Sequence, residues 1–297
     1  MKKTFIYLAM AAFAVVSFTA CGSDDEDYVA PKYEVTLPLP QNAESAVAFD
    51  EIKGMTSNGK ALQDITFTET GNAIVNVGDK YVTSKYTYAS GVYTLTGAVK
   101  GTVKDLVTKG TSSEGTNLAI NIEVIIDGVT YTFTGNAEAD RETATELLTN
   151  TDLNNICRLW TFKNMSLSLS GDVSMMKVYE SGDLSQLGKD ANDNGANLTA
   201  DELAELNKTI LSIEFTKSAK LFFTYKEGGQ SVTQCASWTS SDFQNFLIKE
   251  ISEGNKFIDK NSKIQVVFNA NGGCTVTFFT KITGSKNYDA QLIVNLI

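Results

Sequence analysis

Along residues 41–139 the apolar and polar positions alternate with a period of two, broken at short intervals by glycine. Ile65-Thr66-Phe67-Thr68, Ala73-Ile74-Val75-Asn76-Val77 and the run Tyr81 to Tyr88 are set apart by Gly71 and by Gly78-Asp79. Val92-Tyr93-Thr94-Leu95 follows Gly91. Side chains two apart share one face of an extended chain, so this alternation predicts half-buried strands. Leu118 to Ile126 and Val129 to Thr134 flank Asp127-Gly128. That pair suits a type I′ hairpin turn, whose two central residues both take positive φ. A first antiparallel β-domain is expected here.

The pattern changes over residues 140–159. Leu147, Leu148, Leu153, Ile156 and Cys157 recur at helical spacings with Thr151 as a cap, which predicts a helical connector. Trp160 and Phe162 start a second strand series, which runs through Ile210 to Thr216, Leu221 to Tyr225, Ser231 to Trp238, Ile264 to Phe268, Cys274 to Ile282 and Tyr288 to Leu296. Glu227-Gly228-Gly229 and Asn271-Gly272-Gly273 supply its turns. Two short helices are expected as inserts. Thr199-Ala200-Asp201-Glu202 reads as a capping box ahead of a helix from Asp201 to Lys208. Ser241 to Ile251 carries Phe243, Phe246, Leu247 and Ile251 on one helical face. The fold class expected is therefore mainly β: two antiparallel domains, sandwich or barrel, at residues 41–139 and 160–297. Ile65-Thr66-Phe67-Thr68-Glu69-Thr70 and Ile213-Glu214-Phe215-Thr216-Lys217-Ser218 share an I-x-F-T-x-[S/T] pattern. It fits two distant copies of one domain, and equally two hairpins that obey the same alternation.

Ahead of the body stand Lys2 and Lys3 and then an apolar run from Phe5 to Phe18. A stretch of about fourteen residues has the length of a signal-peptide core and is too short to span a bilayer. It ends in Phe18-Thr19-Ala20-Cys21, followed by Ser23-Asp24-Asp25-Glu26-Asp27. All three prolines, Pro31, Pro38 and Pro40, fall within the next stretch, so residues 21–40 read as an acidic, stiffened tether. Phe18 to Cys21 resembles the bacterial lipobox, which implies removal of residues 1–20 and acylation of Cys21. The acidic run resembles the surface-export signal of Bacteroidetes lipoproteins, which gives Asp24, Asp25, Glu26 and Asp27 the role of an address. Taken with Leu159-Trp160-Thr161-Phe162, the chain resembles lipocalin-like lipoproteins of that phylum. In those proteins an early tryptophan on the first strand plugs one end of a meandering barrel. Arg158 stands where the lipocalin Gly-x-Trp form has its glycine. The resemblance implies an outer-membrane protein, lipid-anchored on the extracellular face, with a lipocalin-like second domain.

Charge and chemistry narrow the function. Without the two lysines of residues 1–20 the 25 basic residues become 23 against 35 acidic, a formal charge of −12 in place of −10. Such a surface is repelled by phosphate backbones, so nucleic acid is not expected as a partner. The chain has no histidine, which removes Ser-His-Asp and Cys-His catalysis and the commonest zinc ligand. Beyond Cys21, the cysteines Cys157, Cys235 and Cys274 allow one disulfide with a spare thiol or three buried free thiols, and their apolar neighbours favour the second. Tyr81, Tyr86, Tyr88, Tyr93 and Tyr131 offer either a sugar-stacking face or ordinary strand packing.

Asp190-Ala191-Asn192-Asp193-Asn194-Gly195 has the oxygen ligands and glycine of a Ca²⁺ loop, with Asp201 at the closing position. The apolar residue and the glutamate, Leu198 and Glu202, come one place late. A calcium site on Asp190, Asn192, Asn194 and Asp201 and a plain turn ahead of the capped helix are both compatible with this spacing. The expected role is a non-catalytic binding or envelope-interaction module, its ligand a small hydrophobic molecule, a glycan or a protein. The alternative is a carboxylate-dependent glycan hydrolase, which needs only two acids.

Overall fold

The computed structural model describes residues 46–106, 116–142, 156–171, 174–193, 199–240, 245–251, 263–268, 272–282 and 288–297. The first sheet comprises β1 (Val47–Asp50), β2 (Thr56–Ser57), β3 (Lys60–Phe67), β4 (Asn72–Val77), β5 (Lys80–Ala89), β6 (Val92–Gly97), β7 (Val99–Asp105), β8 (Thr116–Ile126) and β9 (Val129–Glu142). Each strand from β3 to β9 pairs antiparallel with the next, and β1 pairs with both β3 and β9. Eight strands thus close into a meandering barrel, with the short β2 outside the ring. Closure removes the sheet edges that would otherwise present unpaired amides.

The alternation read from sequence is the inside–outside code of this barrel. Leu118, Ile120, Ile122, Val124 and Ile126 are buried, while the residues between them are exposed or half-buried. The interior holds Phe49, Phe67, Tyr86 and Tyr93, with the Phe67 and Tyr93 rings stacked at 3.9 Å. Asp127 and Gly128 take φ of 52° and 78°, as the hairpin turn requires.

The second sheet follows the same plan. Its strands are β10 (Leu159–Gly171), β11 (Met175–Tyr179), β12 (Lys208–Phe215), β13 (Lys220–Glu227), β14 (Gln230–Thr239), β15 (Asn245–Ile251), β16 (Lys263–Phe268), β17 (Cys274–Ile282) and β18 (Tyr288–Leu296). Here β10 pairs with β12 through Leu159–Thr161 and with β18 through the rest of its length, so the ring of pairing closes again. β11 lies against the distal half of β10. Two helices, α1 (Leu184–Asp193) and α2 (Ala200–Glu205), sit between β11 and β12. Asp183 caps α1 by accepting from the Ser185 amide at 2.9 Å, and Leu184, Leu187 and Ala191 bury its apolar stripe.

Two expectations are corrected. The segment read as an amphipathic helix from Ser241 is strand β15 over Asn245–Ile251, paired with β14 and β16. The connector helix expected over residues 140–159 begins inside β9, which runs to Glu142, and ends where β10 starts at Leu159. Residues 143–155 of that connector lie outside the described residues. Cys157, Cys235 and Cys274 are buried and outside any disulfide, as their apolar neighbours suggested.

The I-x-F-T repeat is a structural repeat. β3 and β12 have the same length and differ in number by 148 throughout. Both hairpins carry a bulge at the same place, between Leu62 and Asp64 in one and between Ile210 and Ser212 in the other. Their turns match atom for atom. The Thr68 amide donates to the Asn72 carbonyl at 2.8 Å, and the Thr216 amide to the Lys220 carbonyl at 2.9 Å. Gly71 and Ala219 occupy equivalent positions, both with positive φ. Tyr86 and Trp238 each reach back to their own turn, through the hydroxyl to the Thr68 carbonyl and through the indole to the Lys220 carbonyl. In the first strands Phe49 pairs with Ile65 as Trp160 pairs with Ile213.

Candidate functional site

The residues that carry the anchor and the address, Cys21, Asp24, Asp25, Glu26 and Asp27, lie outside the described residues. No helix among the described residues is long and apolar enough to cross a membrane.

The residues of the calcium pattern fall on helices. Asp190 and Asn192 are part of α1, which continues through Asp193, where the pattern calls for a loop. The Asp190 carboxylate pairs with Lys177 Nζ at 2.6 Å and accepts from the Tyr179 hydroxyl at 2.8 Å. Burial works against its ionised form, but these two donors hold its carboxyl below the usual carboxylate range. Asp190 thus fastens α1 to β11. Asn194 lies outside the described residues, and Asp201 sits in the first turn of α2. The Leu203 amide donates to the Thr199 carbonyl at 3.0 Å, which places Thr199 at the N-cap as the capping box predicts. Among the described residues no group of three or more acidic or cysteine side chains is arranged to hold a metal ion.

The tyrosines divide between core and surface. Tyr86, Tyr93 and Tyr131 are buried in the first barrel, and Tyr81 packs against Phe222 of the second. Only Tyr88, 42% accessible, is exposed among these five, so they form no continuous outward platform.

The densest polar constellation lies where the two barrels meet. The Lys217 amide donates to Glu69 Oε1 at 2.7 Å. Asn72 Nδ2 donates to Glu214 Oε2 at 3.0 Å, the Thr70 hydroxyl donates to Glu214 Oε1, and Lys85 Nζ donates to Asn72 Oδ1 at 2.5 Å. At the other end of the seam Lys220 pairs with Asp50, and Asn76 Nδ2 donates to Asp64 Oδ2 at 2.8 Å. Ile74, Phe222 and Cys235 form an apolar patch between them, and this explains why every residue of β4 is buried on both faces.

Burial dominates the electrostatics of this seam. It pushes the Glu69 carboxyl up to about 7, against the pull of the amides of Glu69 and Lys217. It pushes Asp64 up to about 6, against the attraction of Lys220. Burial also disfavours the Lys220 ammonium, but Asp64, Cys235 and Asp50 outweigh it and hold that group above the usual lysine range. Glu69 Oε2 and Asp64 Oδ1 are buried with no hydrogen-bond partner among the described residues. Glu69 and Glu214 are 1% and 4% accessible, so this acid pair fastens the barrels and faces no solvent. None of these residues had stood out as a site in the sequence, although the repeated I-x-F-T pattern contains Glu69, Thr70, Glu214 and Lys217.

No protein-family model matches the chain, and no curated protein matches it. Among solved structures, a protein of unknown function from the DUF3598 family of Nostoc punctiforme is similar at 10% identity. The match covers 84% of this chain and 95% of that one, with a TM-score of 0.20.

Proposed function

We propose that this chain is a lipid-anchored lipoprotein of the outer membrane that carries two packed barrels at the cell surface as a non-catalytic binding or envelope-interaction module. The observation that carries the reading is the run from Lys2 through Phe18-Thr19-Ala20-Cys21 into Asp24, Asp25, Glu26 and Asp27. One acyl chain gives only marginal, reversible binding, whereas several bury enough CH₂ groups, at about 0.8 kcal/mol each, for stable anchoring. The acidic tether then holds the body away from an anionic lipid surface. Support for a presenting role comes from the body itself, whose barrels have aromatic-rich buried cores and a fastened seam. Such a scaffold offers rigid outer faces and turns to a partner.

Detergent phase separation of the full chain expressed in its native envelope tests the anchor. The wild type should enter the detergent phase, and a Cys21→Ser variant given a cleavable secretory leader in place of residues 1–20 should remain in the aqueous phase. A Cys21→Ser protein that still fractionates with membranes would overturn the anchor. The address is tested separately. With Asp24, Asp25, Glu26 and Asp27 all replaced by alanine, the protein should stay acylated but become resistant to protease added to whole cells. Unchanged digestion would reduce the acidic run to a spacer.

A further inference from the structure

Three side chains meet at the rim of the seam: a lysine, a carboxamide and a carboxylate. Asn72 on β4 and Lys85 on β5 stand directly opposite each other, so their side chains share one face of the sheet. Lys85 Nζ lies 2.5 Å from Asn72 Oδ1. A carbonyl bond is about 1.2 Å long, so Nζ stands at most about 3.7 Å from the carboxamide carbon Cγ. That bound reaches the range of about 3–3.5 Å from which reacting atoms close. The carboxamide itself is fixed. Nδ2 donates to Glu214 Oε2 at 3.0 Å and to Thr70 Oγ1 at 3.1 Å, which uses both amide hydrogens and leaves Oδ1 to Lys85. Glu214 comes from the second barrel, and the Thr70 hydroxyl holds it through Oε1. Asn72 and Glu214 are 3% and 4% accessible, whereas Lys85 reaches them from the exposed side.

We propose that Lys85 and Asn72 join through a side-chain amide bond, with Glu214 carrying the proton that releases the leaving nitrogen. The amine attacks only with its lone pair free, so the Lys85 ammonium first gives a proton to solvent. Nζ then bonds to Cγ, and the carbonyl electrons move onto Oδ1. In this tetrahedral intermediate Nζ and Nδ2 are bonded to the same carbon. A carboxylate in contact with Nδ2 is therefore within reach of both. Glu214 takes a proton from Nζ and delivers it to Nδ2. The Cγ–Nδ2 bond breaks, and ammonia leaves by the exposed side and takes up the proton first released. One ammonium and one carboxamide become one amide and one ammonium ion, and the balance needs no oxidant. The link closes the β4–β5 hairpin at the end away from its Gly78-Asp79 turn, as a staple that uses no thiol. Because Glu214 belongs to the second barrel, the bond forms only after the barrels dock. The equivalent pair of the β13–β14 hairpin is Lys220 and Ser237, which has no carboxamide, so one link is expected from the two hairpins.

Tryptic digestion of the full chain purified from its native envelope, followed by fragmentation mass spectrometry, tests the link and needs no variant. The peptides that carry Asn72 and Lys85 would be parted by cleavage after Lys80. They should instead stay joined, one ammonia lighter than their sum, with the chain uncut after Lys85. Separate peptides with Asn72 intact overturn the inference. Ammonia lost at Asn72 with Lys85 free overturns it equally, because that is ring closure onto the Ala73 amide. Two variants then test the chemistry. Lys85→Arg keeps the charge and a donor for Oδ1 but has no amine to transfer. Glu214→Gln keeps an acceptor for Asn72 and loses the proton carrier. Both should give the circular dichroism spectrum of the wild type and be recovered without the link. A Glu214→Gln protein linked as fully as the wild type overturns the assignment of Glu214 and the dependence on docking.

Discussion

Trp160→Ala should be the most damaging single substitution in the second barrel, costing about 3–5 kcal/mol. The indole is 1% accessible and lies in the large core cluster of that barrel. It also closes the ring. β10 is the strand that pairs with both β12 and β18, and Trp160 stands opposite Ile213 where the two partners meet. The indole Nε1 donates to the Ile156 carbonyl at 2.9 Å, tying the chain that enters the barrel to its first strand. The Arg158 guanidinium lies 5.2 Å from the ring centroid and covers its outer face. Alanine removes the packing, the hydrogen bond and the support for Arg158 together. Trp160→Phe separates these effects. Phe49 occupies the equivalent position in the first barrel, so phenylalanine fits the site, and the residual cost should be about 0.5–1.5 kcal/mol for the one hydrogen bond lost, since the Ile156 carbonyl keeps the Arg158 amide as a donor. Urea denaturation of the three proteins measures both differences. A Trp160→Ala protein within 1 kcal/mol of the wild type, by the usual order of such core deletions, would show that the ring closes without it.

How much of this was legible in the sequence depends on the range of the interaction that decides each element. The first barrel was readable because most of its strands set one face on the core and the other toward solvent, and β8 shows the resulting alternation over its whole length, whereas β4 is buried on both faces. Asp127-Gly128 was readable because positive φ is a local requirement with few residue solutions. β15 was not. Phe243, Phe246, Leu247 and Ile251 are spaced as a helix would space them, and a short apolar run reads either way. What decides it is pairing on both sides, with β14 and β16, which lie on separate hairpins. The bulge between Ala236 and Trp238 further disturbs the period that neighbouring strands share.

The helix α1 was hidden for the opposite reason. Asp183, Leu184, Leu187 and Ala191 carry a cap and a helical stripe, but the Asp and Asn residues at its end form a stronger local motif. The seam was half legible. The I-x-F-T repeat marked the hairpins that meet, and no local rule could say that they meet each other.

Stability should fall as pH rises from about 4.5 to about 7, and Glu69→Gln should abolish most of that fall. The Glu69 carboxyl takes its proton near 4.5 in the unfolded chain and is pushed up to about 7 in the folded one. Between those values the folded state binds more protons than the unfolded state, so raising the pH favours unfolding. The contribution is complete below about 4.5, is lost as pH rises through about 7, and changes no further above it. A difference of this size corresponds to about 3 kcal/mol, from about 1.4 kcal/mol for each pH unit.

The cause is desolvation. Oε1 has the Lys217 amide, but Oε2 has no partner, and Glu214 lies close enough to repel a second negative charge. The Lys217 charge opposes this only in part, and the neighbouring Cys157 thiol stays protonated because burial raises it well above its ordinary value. Glutamine keeps an acceptor for the Lys217 amide and carries no charge at any pH. Glu69→Gln should therefore match the wild type near pH 5 and exceed it at pH 8. Asp64 is raised in the same direction, to about 6, so a smaller slope should survive between about 4 and 6. Asp64→Asn should remove that remainder, and the double variant should be flat. Urea midpoints taken at pH 5, 6, 7 and 8 resolve the two windows. If the wild type is as stable at pH 8 as at pH 5, Glu69 is ionised in the folded seam throughout, and water or Lys217 must be compensating its charge.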